Sequence, residues 1–277
     1  MTEMDLRQKV VRTITGWKGA KQGGAVHREI IRIYNDHKPL ARGVKMTTSY
    51  AWCAATASAA YIAAGVADYT GTECSCTAWI ELAKKLGIWV ERDNYVPKLG
   101  DAIIYDWQDD SKNFIATDNK GAPDHVGIVT GVGMGAFTVT EGNKGNPSQV
   151  ADRPMQVNGR FIRGFIAPDF ARAARELSGG AAAAAIDKLA KLGVINSPEY
   201  WKEVVDSGKV KYLDALFNKA AAKISKTGAR SSTVENGVAA LGAGGVINTP
   251  DYWLNAAAQV PNVGALLMAL GGAARIS

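Results

Sequence analysis

An α+β domain over residues 1–170, with helices first and an antiparallel sheet second, followed by a small all-α domain over residues 186–277, is the architecture expected of this chain. Three features lead to it. Apolar residues keep helical spacing to about Leu86. After that, short β-branched and aromatic runs separated by Gly, Asn and Pro take over. Towards the C-terminus, "GVINSPEYW" (Gly193 to Trp201) returns as "GVINTPDYW" (Gly245 to Trp253), an offset of 52 residues.

The first helix is read from Leu6, Val10, Ile14 and Trp17, spaced at helical intervals among charges. "HREIIRIYNDH" and "SYAWCAATASAAYIAAG" continue the helical part, and Ser49 or a neighbour is expected to cap the helix that Cys53 opens. Four strands follow: "DAIIYDW" (Asp101 to Trp107), "HVGIVTGV" (His125 to Val132), "AFTVTEGN" (Ala136 to Asn143) and "RFIRGFIAP" (Arg160 to Pro168). Gly100 and Asp101 form the turn launching the first of these. The "GMG" between Val132 and Ala136 makes the middle two a hairpin.

"ELSGGAAAAAID" (Glu176 to Asp187) marks the boundary. Its two glycines predict a flexible break, within a linker over residues 171–185, and its alanines a helix start. The repeats run over residues 186–224 and 238–276. In each, a helix ends at Gly193 or Gly245, Ser197 or Thr249 caps a second helix at Pro198 or Pro250, and a third helix completes the unit. Tyr200, Trp201, Tyr252 and Trp253 recur at identical register, as repeat core or as a platform for a ligand. The final helix, "ALLMALGGAARI", is almost uncharged, so the two units should close on each other and self-associate through it.

A net charge of +6 and a pI of about 9.1 favour anionic partners. Residues from Ile186 onward hold ten Lys and Arg against seven Asp and Glu, so no dense basic run exists and nucleic acid is not an expected partner. No stretch approaches the roughly 18 apolar residues of a membrane helix, so membrane insertion is not expected. The N-terminus lacks the apolar core of a secretory signal. Three cysteines, Cys53, Cys74 and Cys76, are too few and too odd in number for a disulfide framework. Cys74 and Cys76 read as two small thiols at a helix start. They have no second pair at zinc-finger spacing, so neither metal nor cofactor is expected.

Cys53 is the candidate nucleophile, because a helix N-terminus supplies free N–H groups and a positive dipole end that favour the thiolate. His125, starting a strand after Asp124, is the candidate base, whereas His27 and His37 read as solvated surface. The hairpin returns "TEGN" near His125, and period-two alternation sets Glu141 and Asn143 on one side to orient the ring. Tyr50, Trp52 and Asp124, flanking nucleophile and base, are candidates to contact substrate, with Trp52 otherwise packing in the core.

The ordered set "AWCAATASAAYIAAG", "PKLGDAIIYDW", "DHVGIV" and "VTEGN" resembles the CHAP family of cysteine, histidine-dependent amidohydrolases/peptidases, in particular the CHAP domains of bacteriophage endolysins. The resemblance spans about residues 1 to 170, and the "GVINSPEYW" units resemble helical repeats appended to such lysins for wall anchoring. It implies a papain-like CHAP fold with Cys53 as nucleophile, His125 as base, and Glu141 and Asn143 as their acidic and amide partners. The implied activity is peptidoglycan hydrolysis, as an N-acetylmuramoyl-L-alanine amidase or an endopeptidase. The implied partners are peptidoglycan and associated wall polymers, with Tyr200, Trp201, Tyr252 and Trp253 as wall-binding residues. Such a protein is made in the cytoplasm of an infected bacterial host and released to the wall. Two departures stand out: "CAATA" replaces the "CxxFV" of many relatives, which should loosen helix packing, and the Asp-rich calcium loop of some CHAP domains is missing. The rival readings are a host-encoded thiol peptidase or amidase that does not act on walls, and a non-catalytic wall-binding protein.

Overall fold

The computed structural model describes residues 1–92, 94–109, 119–207, 211, 213–224, 234–248, 250–254 and 263–273. They form two compact units, Met1–Ala174 and Arg175–Ser277. In the first, α1 (Glu3–Thr15), α2 (Ala25–Asp36), α3 (Cys53–Ala64), α4 (Ala67–Thr70) and α5 (Cys76–Lys85) precede six strands. These are β1 (Trp89–Val90), β2 (Ala102–Tyr105), β3 (His125–Val132), β4 (Ala136–Lys144), β5 (Gln149–Gln156) and β6 (Ile162–Ile166). They build one antiparallel sheet in the order β1-β6-β2-β3-β4-β5. This is the expected α+β arrangement with helices first, followed by a helical C-terminal unit.

Period-two alternation splits the sheet residues between two cores. Ala102, Ile104, Val126, Ile128 and Ile166 pack with Leu6, Val10 and Ile14 of α1 and with α3 and α5. Ile103, Tyr105, Val129, Phe137, Val139 and Phe165 gather in the other. α3 lies against α1, α2, β3 and β4, and most of its side chains are buried. An alanine-rich sequence suits that position, since small side chains on every face let neighbours approach from all sides. The loosening expected of "CAATA" is not found: Ala54, Ala55, Thr56 and Ala57 are all buried. At Gly142, in β4, an added Cβ would sit 2.1 Å from Thr56 Oγ1, so glycine there is what lets α3 lie so close to the sheet.

Two strands lie outside the sequence expectation. β1 is only two residues long. β5 carries Asp152, Arg153 and Pro154, which do not read as a strand; it is tolerated because it forms the sheet edge, where proline and charge belong.

In the second unit, α6 (Phe170–Lys191, beginning in the first unit), α7 (Pro198–Ser207), α8 (Leu213–Ile224), α9 (Val234–Ala243), α10 (Pro250–Leu254) and α11 (Val263–Ala273) carry the repeat. The helix ends match at the offset of 52. Gly193 and Gly245 both take φ 67°, and Val194 N–H donates to Leu189 O as Val246 N–H does to Leu241 O. Within this unit one core is shared between the two repeats: Ile186, Leu189, Trp201 and Phe217 pack with Val238, Leu241, Trp253, Leu266 and Leu270. The expected break at Ser178, Gly179 and Gly180 is instead helical, within α6. Alanines on both sides propagate the helix through two glycines that cost only about 1 kcal/mol each. The Thr249 cap and the end of the second repeat at Ile276 lie outside the described residues.

Candidate active site

Cys53 is the first residue of α3, and the N-cap position belongs to Trp52, which makes no side-chain cap. The expected Ser49 cap does not form, and Ser49 Oγ pairs with Thr47 Oγ1 at 2.9 Å. The uncapped turn leaves its first N–H groups without a side-chain partner, and the Ala54 N–H helps to lower the Cys53 thiol pKa.

His125 opens β3 opposite Tyr105. Its Nε2 lies 3.3 Å from Glu141 Oε2, and Cys53 is the other group that acts on the ring. With Nε2 engaged by the carboxylate, Nδ1 is the nitrogen left for sulfur. Glycine again makes room: a Cβ on Gly127 would stand 2.6 Å from Glu141 Cγ. The glutamate side chain therefore crosses the strand at Gly127 and reaches back to the imidazole.

Glu141 is fully buried, and Arg153 of β5 grips it with two bonds, Nε to Oε1 at 2.7 Å and Nη2 to Oε2 at 3.1 Å. The guanidinium lies over the Trp107 ring, 4.7 Å from its centroid, and Trp107 lies 5.9 Å from His125 by ring centroids. Glu141 is thus orienter and counter-ion, fixed from behind by a cation.

The electrostatics favour a thiolate–imidazolium pair. The Cys53 thiol is held well below the usual thiol range. A hydrogen bond from Cys76 acts first, His125 adds its bond and charge, and the Ala54 N–H contributes, together outweighing the burial that opposes ionisation. Burial pulls the His125 pKa down, but bonding and charge from Cys53 and Glu141 prevail and raise it to about 9. Burial likewise opposes ionisation of Glu141, yet His125 and Arg153 hold its carboxyl below the usual range.

Asn143 does not reach the imidazole. The register shifts between Glu141 and Lys144, and Asn143 itself takes φ 57°, so the alternation expected to align Glu141 with Asn143 is broken. Its Oδ1 accepts from Ser148 Oγ at 2.8 Å, and Ser148 Oγ in turn accepts from Trp52 Nε1 at 3.0 Å. Asn143 acts on the residue before the nucleophile.

Trp52 is fully buried and packs rather than lining a groove; its ring lies 4.2 Å from that of His27. His27 is not surface either. It is fully buried in the same stripe as Ile30, Ile31 and Tyr34, a spacing of i, i+3, i+4, i+7 that the sequence does display. Tyr50 is exposed three residues before Cys53. Asp124 is exposed, and its Oδ2 accepts from the Trp107 N–H at 2.8 Å. In the second unit Trp201 and Trp253 are core residues, so of the four residues expected to meet the wall only half-buried Tyr200 and exposed Tyr252 reach the surface.

Sequence reasoning missed Arg153, because β5 has no strand-like pattern, and it missed the influence of Cys76 on the Cys53 thiol. Among the described residues no group of three His, Cys, Asp or Glu side chains is arranged to hold a metal ion.

The candidate nucleophile Cys53, the candidate base His125 and the Glu141 carboxylate thus lie within one segment of the first unit. Residues 45–143 match the family model of the CHAP domain. The match takes in Cys53, His125, Glu141 and Asn143, and it supports a CHAP-family protein with cysteine- and histidine-dependent amidohydrolase or peptidase chemistry of the peptidoglycan hydrolase type. No curated protein and no solved structure matches the chain.

Proposed function

We propose that this chain is a phage endolysin, a peptidoglycan hydrolase whose CHAP domain cleaves an amide of the bacterial wall and whose helical repeats hold it there. The observation that carries the reading is the Cys53, His125, Glu141 relay inside the matched segment. The Cys53 thiolate attacks the carbonyl carbon of a muramoyl-alanine or cross-bridge amide, and the N–H of Cys53 meets the developing oxyanion. His125 gives its proton to the leaving amine as the C–N bond breaks, leaving a thioester on Cys53. Neutral His125 then takes a proton from water, which attacks the thioester and releases the thiolate. Glu141 keeps the imidazole oriented and supports its cationic form.

Net positive charge suits the anionic polymers of a bacterial wall, and among the described residues Tyr200 and Tyr252 are the aromatic side chains of the repeats that reach the surface to meet them. Apolar α11 also suits association between copies of the chain. The protein would reach its substrate after release from the infected cell. Cys53→Ala should abolish clearing of purified walls while the protein still sediments with them, and mass spectrometry of the fragments freed by wild type identifies the bond. Clearing by Cys53→Ala would refute the mechanism. Loss of sedimentation in wild type would refute the role given to the repeats.

A further inference from the structure

His27 is a fully buried titratable side chain that the Cys/His relay does not use, and its surroundings fix its chemistry. Nδ1 accepts the Gly23 N–H at 2.8 Å, so the proton of the neutral ring sits on Nε2. Nε2 is itself buried and, among the described residues, has no hydrogen-bond partner. A second proton has no place here. On Nδ1 it would set two donors against each other, and it would leave a cation in the buried stripe shared with Ile30 and Ile31.

This ring packs on Trp52, the residue before the nucleophile, with ring centroids 4.2 Å apart. Trp52 Nε1 donates to Ser148 Oγ at 3.0 Å, and the Trp52 carbonyl accepts from the Thr56 N–H at 2.9 Å and the Thr56 hydroxyl at 2.7 Å. The segment that carries Gly23 is tied to the same point: the Gln22 N–H donates to Ser148 O at 2.9 Å, and Arg28 Nη1 donates to Gly23 O. The Trp52 carbonyl and the Cys53 N–H belong to one planar peptide group, so whatever seats Trp52 also aims that N–H. We propose that His27 is a positioning residue for the reaction: its neutral, Nε2–H form seats Trp52 and thereby aims the Cys53 N–H at the developing oxyanion, and acid that protonates the ring undoes the seat. The oxyanion half of this rests on the hydrolase reading, whereas the seating of Trp52 can be followed without substrate.

The charges around the ring favour its neutral form. Arg28 follows it on α2, and Lys21 and Lys45, on the segments flanking α2, are exposed. On β5, Asp152 is paired with Lys18. α3 carries no Asp, Glu, Lys or Arg; its Cys53 and Tyr61 pack in a different core from Trp52, whose own core includes Tyr34 and Cys74. Burial first, and the Arg28 charge second, hold the His27 pKa below the ordinary histidine value. The sign follows: the seat is complete above that ordinary value and is lost as pH falls through the lower, folded one.

The experiment follows the full chain by NMR from pH 8 to 4, reading the His27 ring nitrogens and the Trp52 indole N–H, with His27→Phe and Trp52→Phe to assign the signals. Clearing of purified walls is measured over the same range. At neutral pH His27 should carry its proton on Nε2 alone, its midpoint should lie below about 6.5, and the Trp52 signal should shift with that midpoint. One unit below the midpoint, wild type should have lost about tenfold of its clearing rate through this step. His27→Phe keeps a ring against Trp52 and cannot titrate. Its neutral rate should fall, because the Gly23 N–H is left unpaired, but the acid step should vanish. Should His27→Phe fail to fold, His27→Asn, which offers the Gly23 N–H an acceptor and gains no charge, must lose the same step. A proton on Nδ1 at neutral pH, a Trp52 signal indifferent to the titration of His27, or an acid step that persists in these variants overturns the inference. A Trp52 signal that follows His27 in a protein that clears no wall sustains the seating and overturns the proposed function instead.

Discussion

Replacing Glu141 by Gln keeps the size and an acceptor oxygen for His125 while removing the charge. In the wild type, bonding and charge from Cys53 and Glu141 raise the His125 pKa to about 9, although burial works against it. Two partners supply that shift, Cys53 and Glu141. Losing one of them, with Arg153 left unneutralised beside the ring, should lower the His125 pKa by about one to two units. The sign follows from the active form. Thiolate and imidazolium are both needed, so the alkaline limb of kcat/KM records loss of the His125 proton and moves down with its pKa. With the limb near pH 7.5, Glu141→Gln should retain much of its rate at pH 6.5 and lose about tenfold at pH 8.5. Turbidity clearing of purified walls from pH 5 to 10 measures this, with Cys53 alkylation as a substrate-free check. Asn143→Ala is the control: it acts through Ser148 and Trp52, so it should lower the rate and leave the limb in place. An alkaline limb unmoved in Glu141→Gln would refute Glu141 as the charge partner.

Two further variants probe how the carboxylate is held. Arg153→Ala strands a buried carboxylate, with a loss of about 1–3 kcal/mol at neutral pH, moderated because Arg153 is partly open to water. Glu141 has a lowered pKa, so this contribution is present above its unfolded value and disappears as pH falls through the folded one. The difference in melting between wild type and Arg153→Ala should therefore shrink below about pH 4, and a difference constant with pH would exclude the pairing. Unlike Glu141→Gln, Arg153→Ala should not move the alkaline limb downward. Gly142→Ala would drive a methyl into Thr56 and push α3 from the sheet, a cost of about 1–3 kcal/mol visible in thermal melts, with wall lysis lost in parallel; a normal melt would show that the close approach is not needed.

Features with a short period were legible in the sequence. Helical spacing of Leu6, Val10 and Ile14, alternation in β2 and β3, the "GMG" hairpin, the glycine helix ends of the repeat and the placement of Cys53 at a helix start all depend on residues a few positions apart. One local feature was misread: the glycines after Ser178 do not interrupt α6, because flanking alanines outweigh two weak helix formers. Another was overlooked: His27 belongs to the apolar stripe of α2.

By itself, then, the sequence determined the main helices of the first unit and four of the six strands, where the candidate nucleophile and base stand along the chain, and that Glu141 returns towards His125 on the hairpin. The tertiary structure alone decided which groups touch. It assigned Glu141 to the imidazole and Asn143 to Ser148, because a bulge interrupts the alternation that would have aligned them. It brought Arg153 onto Glu141 from an edge strand whose proline and charges hide it from any pattern. Local periodicity reports the face on which a side chain lies. Which partner it meets there depends on strand register and helix packing between segments distant in sequence, and single glycines such as Gly127 and Gly142 control those approaches by leaving out one carbon atom.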